Sequence, residues 1–161
     1  LNGLFMVNQD QHIDHHTRIR HLVGRTSSSE NYKGIADGNG RGVFNGKIFV
    51  AQDAQQIEAL QSSKNLLLAD GAEIDTKPEL EIYADDVKCA HGATVGQLDD
   101  DAEFYLRSRG IDEATARSML TFAFAADIAS EVEIDTLRAW LEGAIVERTH
   151  TSGVNEIDAD G

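Results

Sequence analysis

The chain of 161 residues is short of cysteine, proline, aromatic residues and positive charge. With a single cysteine it has no internal disulfide framework, which fits a reducing compartment and points to the cytoplasm. The only proline, Pro78, stands beside 14 glycines, a ratio that suits closely stacked strands with frequent corners. No apolar run approaches the length of a membrane-spanning helix, and no charged-then-apolar leader suggests secretion. Lysine and arginine number 14 against 28 acids, a net charge of −14. A surface this acidic repels phosphate backbones and argues against nucleic-acid binding. It suits a solvated surface, or contact with a basic protein.

The charge is uneven. Residues 1–98 carry 13 acids and 9 bases, whereas residues 99–161 carry 15 acids and 5 bases. The length suits one domain, or one and a half. The opening Leu-Asn-Gly-Leu-Phe-Met-Val lacks an initiating methionine and reads as strand, so the chain is expected to be a piece of a longer protein.

The two stretches also differ in periodicity. Up to about Gln97 short strands alternate with turns. Thr17–Val23 and Leu80–Ile82 alternate in polarity, and Gly42–Val50 and Leu66–Ala69 are short apolar or mixed runs. Asp37-Gly38-Asn39-Gly40 and Asp70-Gly71 are turn signals, and Gln55–Leu60 fits a short helical turn. A sandwich, a barrel or a stack of β-helix rungs all accommodate such a series, and no clean internal repeat decides among them.

After Gln97 the period becomes helical. Asp99 can cap a short helix through Phe104, Tyr105 and Leu106 that Gly110 ends, and Asp112 a second running to about Ser130. Ile134, Leu137, Leu141, Ala144 and Ile145 mark a third, amphipathic helix, with Trp140 at the edge of its stripe. The second helix is apolar around most of its circumference and carries Asp127 within an apolar face. That residue either reaches solvent at the rim or contacts another protein. Residues 151–161 are polar and aperiodic, and are expected to form a disordered tail.

The strongest chemical signal is Cys89-Ala90-His91. On a strand, alternate side chains share a face, so a thiol and an imidazole project together. They suit iron, zinc or copper, yet two ligands fall short of the usual four, so any further ligands come from elsewhere. A Cys–His nucleophile is disfavoured, because alternate strand residues lie about 7 Å apart at the backbone. By default Cys89 is a small packing residue. The run Gly38–Lys47 fails as a phosphate loop: Gly42 and Gly46 are spaced one residue too closely, and Ile48 stands where Ser or Thr would bind magnesium. Its glycines are expected to shape turns. His12, His15, His16 and His21 lie on a polar stretch and are expected at the surface.

Several segments, in this order, resemble the SufB/SufD family of iron–sulfur cluster assembly proteins. They are Tyr32–Ile35, Gly42–Val50, Asn65–Ala72, Thr76–Tyr83, Asp86–Gly96, Phe104–Gly110 and Ala123–Ala125. Cys-Ala-His-Gly-Ala-Thr at 89–94 is similar to the SufD form, since SufB relatives carry an acidic residue between the cysteine and the histidine. The resemblance implies the C-terminal rungs of a right-handed parallel β-helix at 1–98, followed by a helical C-terminal domain at 99–150. It also implies a non-enzymatic scaffold that pairs with SufB and binds the SufC ATPase. His91, together with Cys89, would offer ligands to a nascent iron–sulfur cluster completed by SufB and not held stably by this chain alone. Phe122, Phe124 and Asp127 would contribute to SufC docking. A final rung with an unpaired strand edge would also favour a homodimer through the β-helix.

Overall fold

The computed structural model describes residues 1–151, with side chains through Thr149. The chain divides into two compact units, Leu1–Gly96 and the segment from Gln97 onward.

The first unit has seven strands: β1 (Asn2–Val7), β2 (His12–His21), β3 (Ser27–Ala36), β4 (Arg41–Val50), β5 (Ile57–Leu67), β6 (Glu73–Ile82) and β7 (Val87–Gly96). Strands of odd number form one parallel sheet in the order β1-β3-β5-β7, and β2-β4-β6 form a second. The chain therefore visits the two sheets alternately and climbs one step per circuit, which is a parallel β-helix of about three turns. The sequence shows no clean repeat because the circuits differ in length. Asn2 lies beside Asn31, His12 beside Arg41, Ser27 beside Glu58, Arg41 beside Glu73 and Ile57 beside Val87, steps of 29, 29, 31, 32 and 30 residues. Changes at the corners erase a fixed period while the strands stay in register.

Some corners hold non-glycine residues at positive φ, namely Gln9, Arg25 and Gln56. At Asp37–Gly40 the left-handed position is Gly38, which needs no side-chain accommodation at φ 61°. Gln56 leads directly into β5, so Gln55–Leu60 is a corner and strand start, not a helical turn. Leu66 likewise belongs to the long β5 and not to a separate strand. Pro78 lies in β6, at the edge of its sheet, where a missing N–H does least harm.

Alternation decides what enters the interior. In β4, Gly42, Phe44, Gly46, Ile48 and Val50 are buried while the intervening residues are more accessible. Gly42 and Gly46 are thus strand glycines and not turn glycines. A Cβ on Gly42 would strike the Phe5 ring, and one on Gly46 would strike Phe44 and the Gln61 amide. Two apolar clusters result. One joins Phe5, Val7, Ala36, Phe44, Ala72 and Ile74. The other joins Ile48, Val50, Ala54, Ile57, Ala59 and Ala84. Each fully buried large side chain contributes about 1.5–3 kcal/mol.

The second unit has three helices: α1 (Asp100–Ser108), α2 (Glu113–Ala129) and α3 (Asp135–Thr151). Asp99 caps α1 by accepting from the backbone N–H of Asp101 at 2.9 Å, and Gly110 follows at φ 87°. Asp112 caps α2 through the Thr115 N–H at 3.0 Å and the Thr115 hydroxyl at 2.7 Å. Glu103 of α1 meets Arg117 of α2 at 3.4 Å. The buried face of α2 consists of Ala116, Thr121, Ala125, Ile128 and Ala129. On α3 the expected stripe is buried only toward its C-terminal half, at Ile145, whereas Leu137 and Trp140 are exposed, as is Ile134 just before the helix. The tail expected at 151–161 begins at the last helical residue, and residues 152–161 lie outside the described residues. No helix among the described residues is long and apolar enough to cross a membrane.

Candidate functional site

The Cys89–His91 pair sits on β7, the terminal strand of the four-stranded sheet. Among the described residues β7 pairs with β5 alone, so its other side carries no paired strand. Parallel register extends the inward row of β5 onto β7, with Ala59 beside Cys89, Gln61 beside His91 and Ser63 beside Ala93. Ala59, Gln61 and Ser63 are all buried. On β7 the same row opens out: Cys89 is half-buried and His91 exposed.

The two residues share a strand face but not an environment. Cys89 is a free thiol packed against the cluster of Ile48, Val50, Ile57 and Ala59. Burial pushes its pKa above the ordinary thiol value, only partly offset by a hydrogen bond with the Ala59 backbone. Metal binding there would have to displace a proton. His91, by contrast, is exposed. Among the described residues no group of three or more histidine, cysteine or acidic side chains is positioned to hold a metal ion. Any cluster at this edge would need ligands from a second surface.

Beneath the pair lies a feature that the sequence reading missed. Between the two apolar clusters the interior is polar. Glu30 is 1% exposed and Gln61 3%. They are ladder neighbours, and the Gln61 Nε2 donates to Glu30 Oε2 at 2.5 Å. Thr76 donates across the sheets to Ser63 at 2.9 Å. The Asn65 Nδ2 donates to Ser63 at 3.1 Å and to the Thr94 carbonyl of β7 at 3.0 Å. Glu30, Gln61 and His91 thus form one column across β3, β5 and β7. The signal was period-2 spacing: Ile57, Ala59, Gln61 and Ser63 occupy alternate positions, which places Gln61 inward with the apolar pair before it.

The histidine-rich segment splits by the same rule. His12 and His16 face outward, but His15 and His21 occupy inward positions of β2, so the expectation of four surface histidines holds for only two. His15 packs edge-on against Phe5 at 5.4 Å and Tyr32 at 5.9 Å. Both ring nitrogens of His21 reach hydroxyls, Thr26 at 2.7 Å and Ser28 at 2.9 Å, and burial lowers its pKa. Strand parity, not polarity, decides their placement.

On α2, Phe122 and Phe124 are half-buried and Asp127 is exposed. At 100° per residue Phe124 and Asp127 lie about 60° apart, whereas Phe122 is about 140° from Asp127. The three therefore do not make one continuous face. The helices expose other large apolar residues, above all Phe104 at 73% and Trp140 at 67%.

A family model described as SUF system FeS cluster assembly, SufBD core domain, matches residues 1–124. The chain belongs to the SufBD family. Its sequence is 44% identical over 148 residues to the iron–sulfur cluster assembly protein SufD of Escherichia coli, covering 92% of this chain and 35% of that protein. It is 42% identical over 136 residues to an iron–sulfur cluster assembly SufBD family protein of Synechocystis, covering 84% of this chain and 30% of the relative. A chloroplastic protein of Arabidopsis thaliana is 40% identical over 129 residues, covering 80% and 27%. The chain thus spans about a third of the length of these curated relatives. Within that family the chain is SufD-like.

Proposed function

We propose that the chain serves as a non-enzymatic, cytoplasmic scaffold that pairs with SufB and presents His91, with Cys89 beside it, to a nascent iron–sulfur cluster shared at that interface. The cluster is cargo: this chain supplies part of its ligand set and does not hold it alone. The observation that carries the reading is the exposure of His91 on the inward row of an edge strand, where a second polypeptide could complete both the sheet and the ligand set. Imidazole and thiolate together are established ligands of iron in such clusters. In the full-length protein, His91→Ala should depress cluster maturation while assembly with SufB and SufC persists. Undiminished maturation would remove the ligand role.

The SufC ATPase is assigned to the helical unit, with Phe122, Phe124 and Asp127 contributing. Support comes from large apolar side chains left exposed in the helical unit, Phe104 and Trp140 among them, which are available to another protein, whereas Phe122 and Phe124 are half-buried. Capture of purified SufC by the full-length protein should weaken when Phe124 and Asp127 are replaced, and equal capture would refute the assignment.

A second reading, a purely structural or adaptor segment in which Cys89 and His91 are packing residues with no metal role, is favoured at Cys89 by its apolar packing and raised thiol pKa, but not at His91, which is exposed. Under it Cys89→Ala leaves maturation unchanged, whereas a ligand thiolate could not be lost without effect.

A further inference from the structure

Two atoms of the interior column lack partners. The Gln61 amide spends its Nε2 on Glu30, but its Oε1 is buried without a hydrogen bond, as is Glu30 Oε1. A buried acceptor left unmade is destabilising, so it calls for an explanation. The amide nitrogen and oxygen of a glutamine diverge from one carbon. With the nitrogen engaged by β3 on one side, the oxygen is the group available to the strand on the other side. That strand is β7, and the residue in register with Gln61 is His91. One ladder step is about 4.8 Å, a span over which side-chain amides in stacked parallel strands bond to their neighbours.

The bond to His91 is not made in this structure, where Gln61 Oε1 has no partner. We propose that Gln61 is a positioning residue for His91, its Oε1 accepting the imidazole N–H when the exposed ring turns onto it, with Glu30 holding the amide in the orientation that receives it. The inference rests on the ligand role proposed above for His91. A metal-bound imidazole commonly donates its other ring nitrogen to an oxygen acceptor, which selects the tautomer and aims the free lone pair. Here the acceptor is an amide tied to a carboxyl group, Glu30–Gln61–His91, running from the closed interior to the open edge. The arrangement gives an exposed ring one preferred orientation before a partner arrives. It also gives a reason for a glutamine among the inward residues of β5: Gly46, opposite it, leaves room for the amide.

The test is the tautomeric state of His91 in the intact chain, read by nitrogen-15 NMR with histidine labelling at pH 8, using His91→Ala to assign the signals. In the wild type one tautomer should dominate. In Gln61→Leu the preference should disappear. Because that variant strands the Glu30 carboxyl, the double variant Glu30→Leu with Gln61→Leu provides a second route, and the preference should be absent there too. In the full-length protein assembled with its partners, Gln61→Leu should lower cluster maturation about 10- to 100-fold, the usual cost of removing such an outer partner. A tautomer ratio that is mixed in the wild type, or unmoved by both variants, overturns the proposal. That failure is distinct from failure of the ligand role. If His91→Ala leaves maturation intact while Gln61 still sets the tautomer, the ligand reading falls and the hydrogen bond stands.

Discussion

The β-helix and the helical unit differ in the polar groups they bury. The β-helix encloses Glu30, Gln61, Ser63 and Asn65 between two apolar clusters. The helices leave Phe104, Tyr105, Met119 and Trp140 in solvent, on the stretch of sequence that carries most of the acidic excess. A solenoid can bury polar groups because each rung offers the next a partner one ladder step away. Three short helices cannot enclose every apolar face they present, so some of that surface is left for other contacts. Both units expose some large apolar residues, but the first buries a charged and amide network, whereas the second, among its described residues, buries only alanine, isoleucine and threonine.

The contrast can be broken most forcefully at the centre of the solenoid. Phe44 is fully buried and stacks on Tyr32 with ring centroids 4.4 Å apart. Phe44→Ala should cost about 3–5 kcal/mol in denaturant unfolding. A loss below 1 kcal/mol would mean that the interior is far looser than its packing.

Glycines distinguish the closed interior from the open edge. Gly46→Ala drives a methyl group into Phe44 and Gln61 and should destabilise the chain by about 1–3 kcal/mol. Gly92 on β7 has nothing within 4 Å of where a Cβ would stand. Gly92→Ala should therefore stay within about 0.5 kcal/mol of wild type. Equal effects at the two sites would erase the distinction between interior and edge.

Acid probes the buried polar groups. Burial lowers the His21 pKa in the folded chain, so the unfolded chain binds its proton more readily. The stabilisation linked to this residue is complete above the unfolded value of about 6.5 and is lost as pH falls toward the folded value. Unfolding midpoints measured across that window should decline with acid, and His21→Gln should flatten the decline. An unchanged slope would assign the acid sensitivity to other groups.

The smallest effect is expected on the helices. Trp140→Ser removes a side chain that is 67% exposed, and should shift stability by no more than about 0.5 kcal/mol. A larger loss would show that this ring packs in solution and is not surface held for a partner.

Period-2 spacing made much of the site legible. Cys89 and His91 share a face because they are two residues apart on a strand, and the helix caps at Asp99 and Asp112 follow from local hydrogen-bonding chemistry. The same rule, applied to Ile57–Asn65, places Gln61 inside, but Gln55–Leu60 is rich in good helix formers and fits a helical turn equally well, which hides the start of that strand. Parity along β2 likewise separates His15 and His21 from their neighbours, although nothing local says which parity faces inward.

By itself, the sequence determined where strands give way to helices, where the helices begin, and that a thiol and an imidazole would stand side by side. Tertiary structure decided which residues stack. Register between rungs depends on corner lengths that vary from circuit to circuit, and only closure of the coil sets Glu30 under Gln61 and Gln61 under His91. It also separated the two candidate ligands, setting Cys89 against apolar side chains and leaving His91 exposed, because burial depends on what the opposite sheet supplies and not on the strand's own spacing.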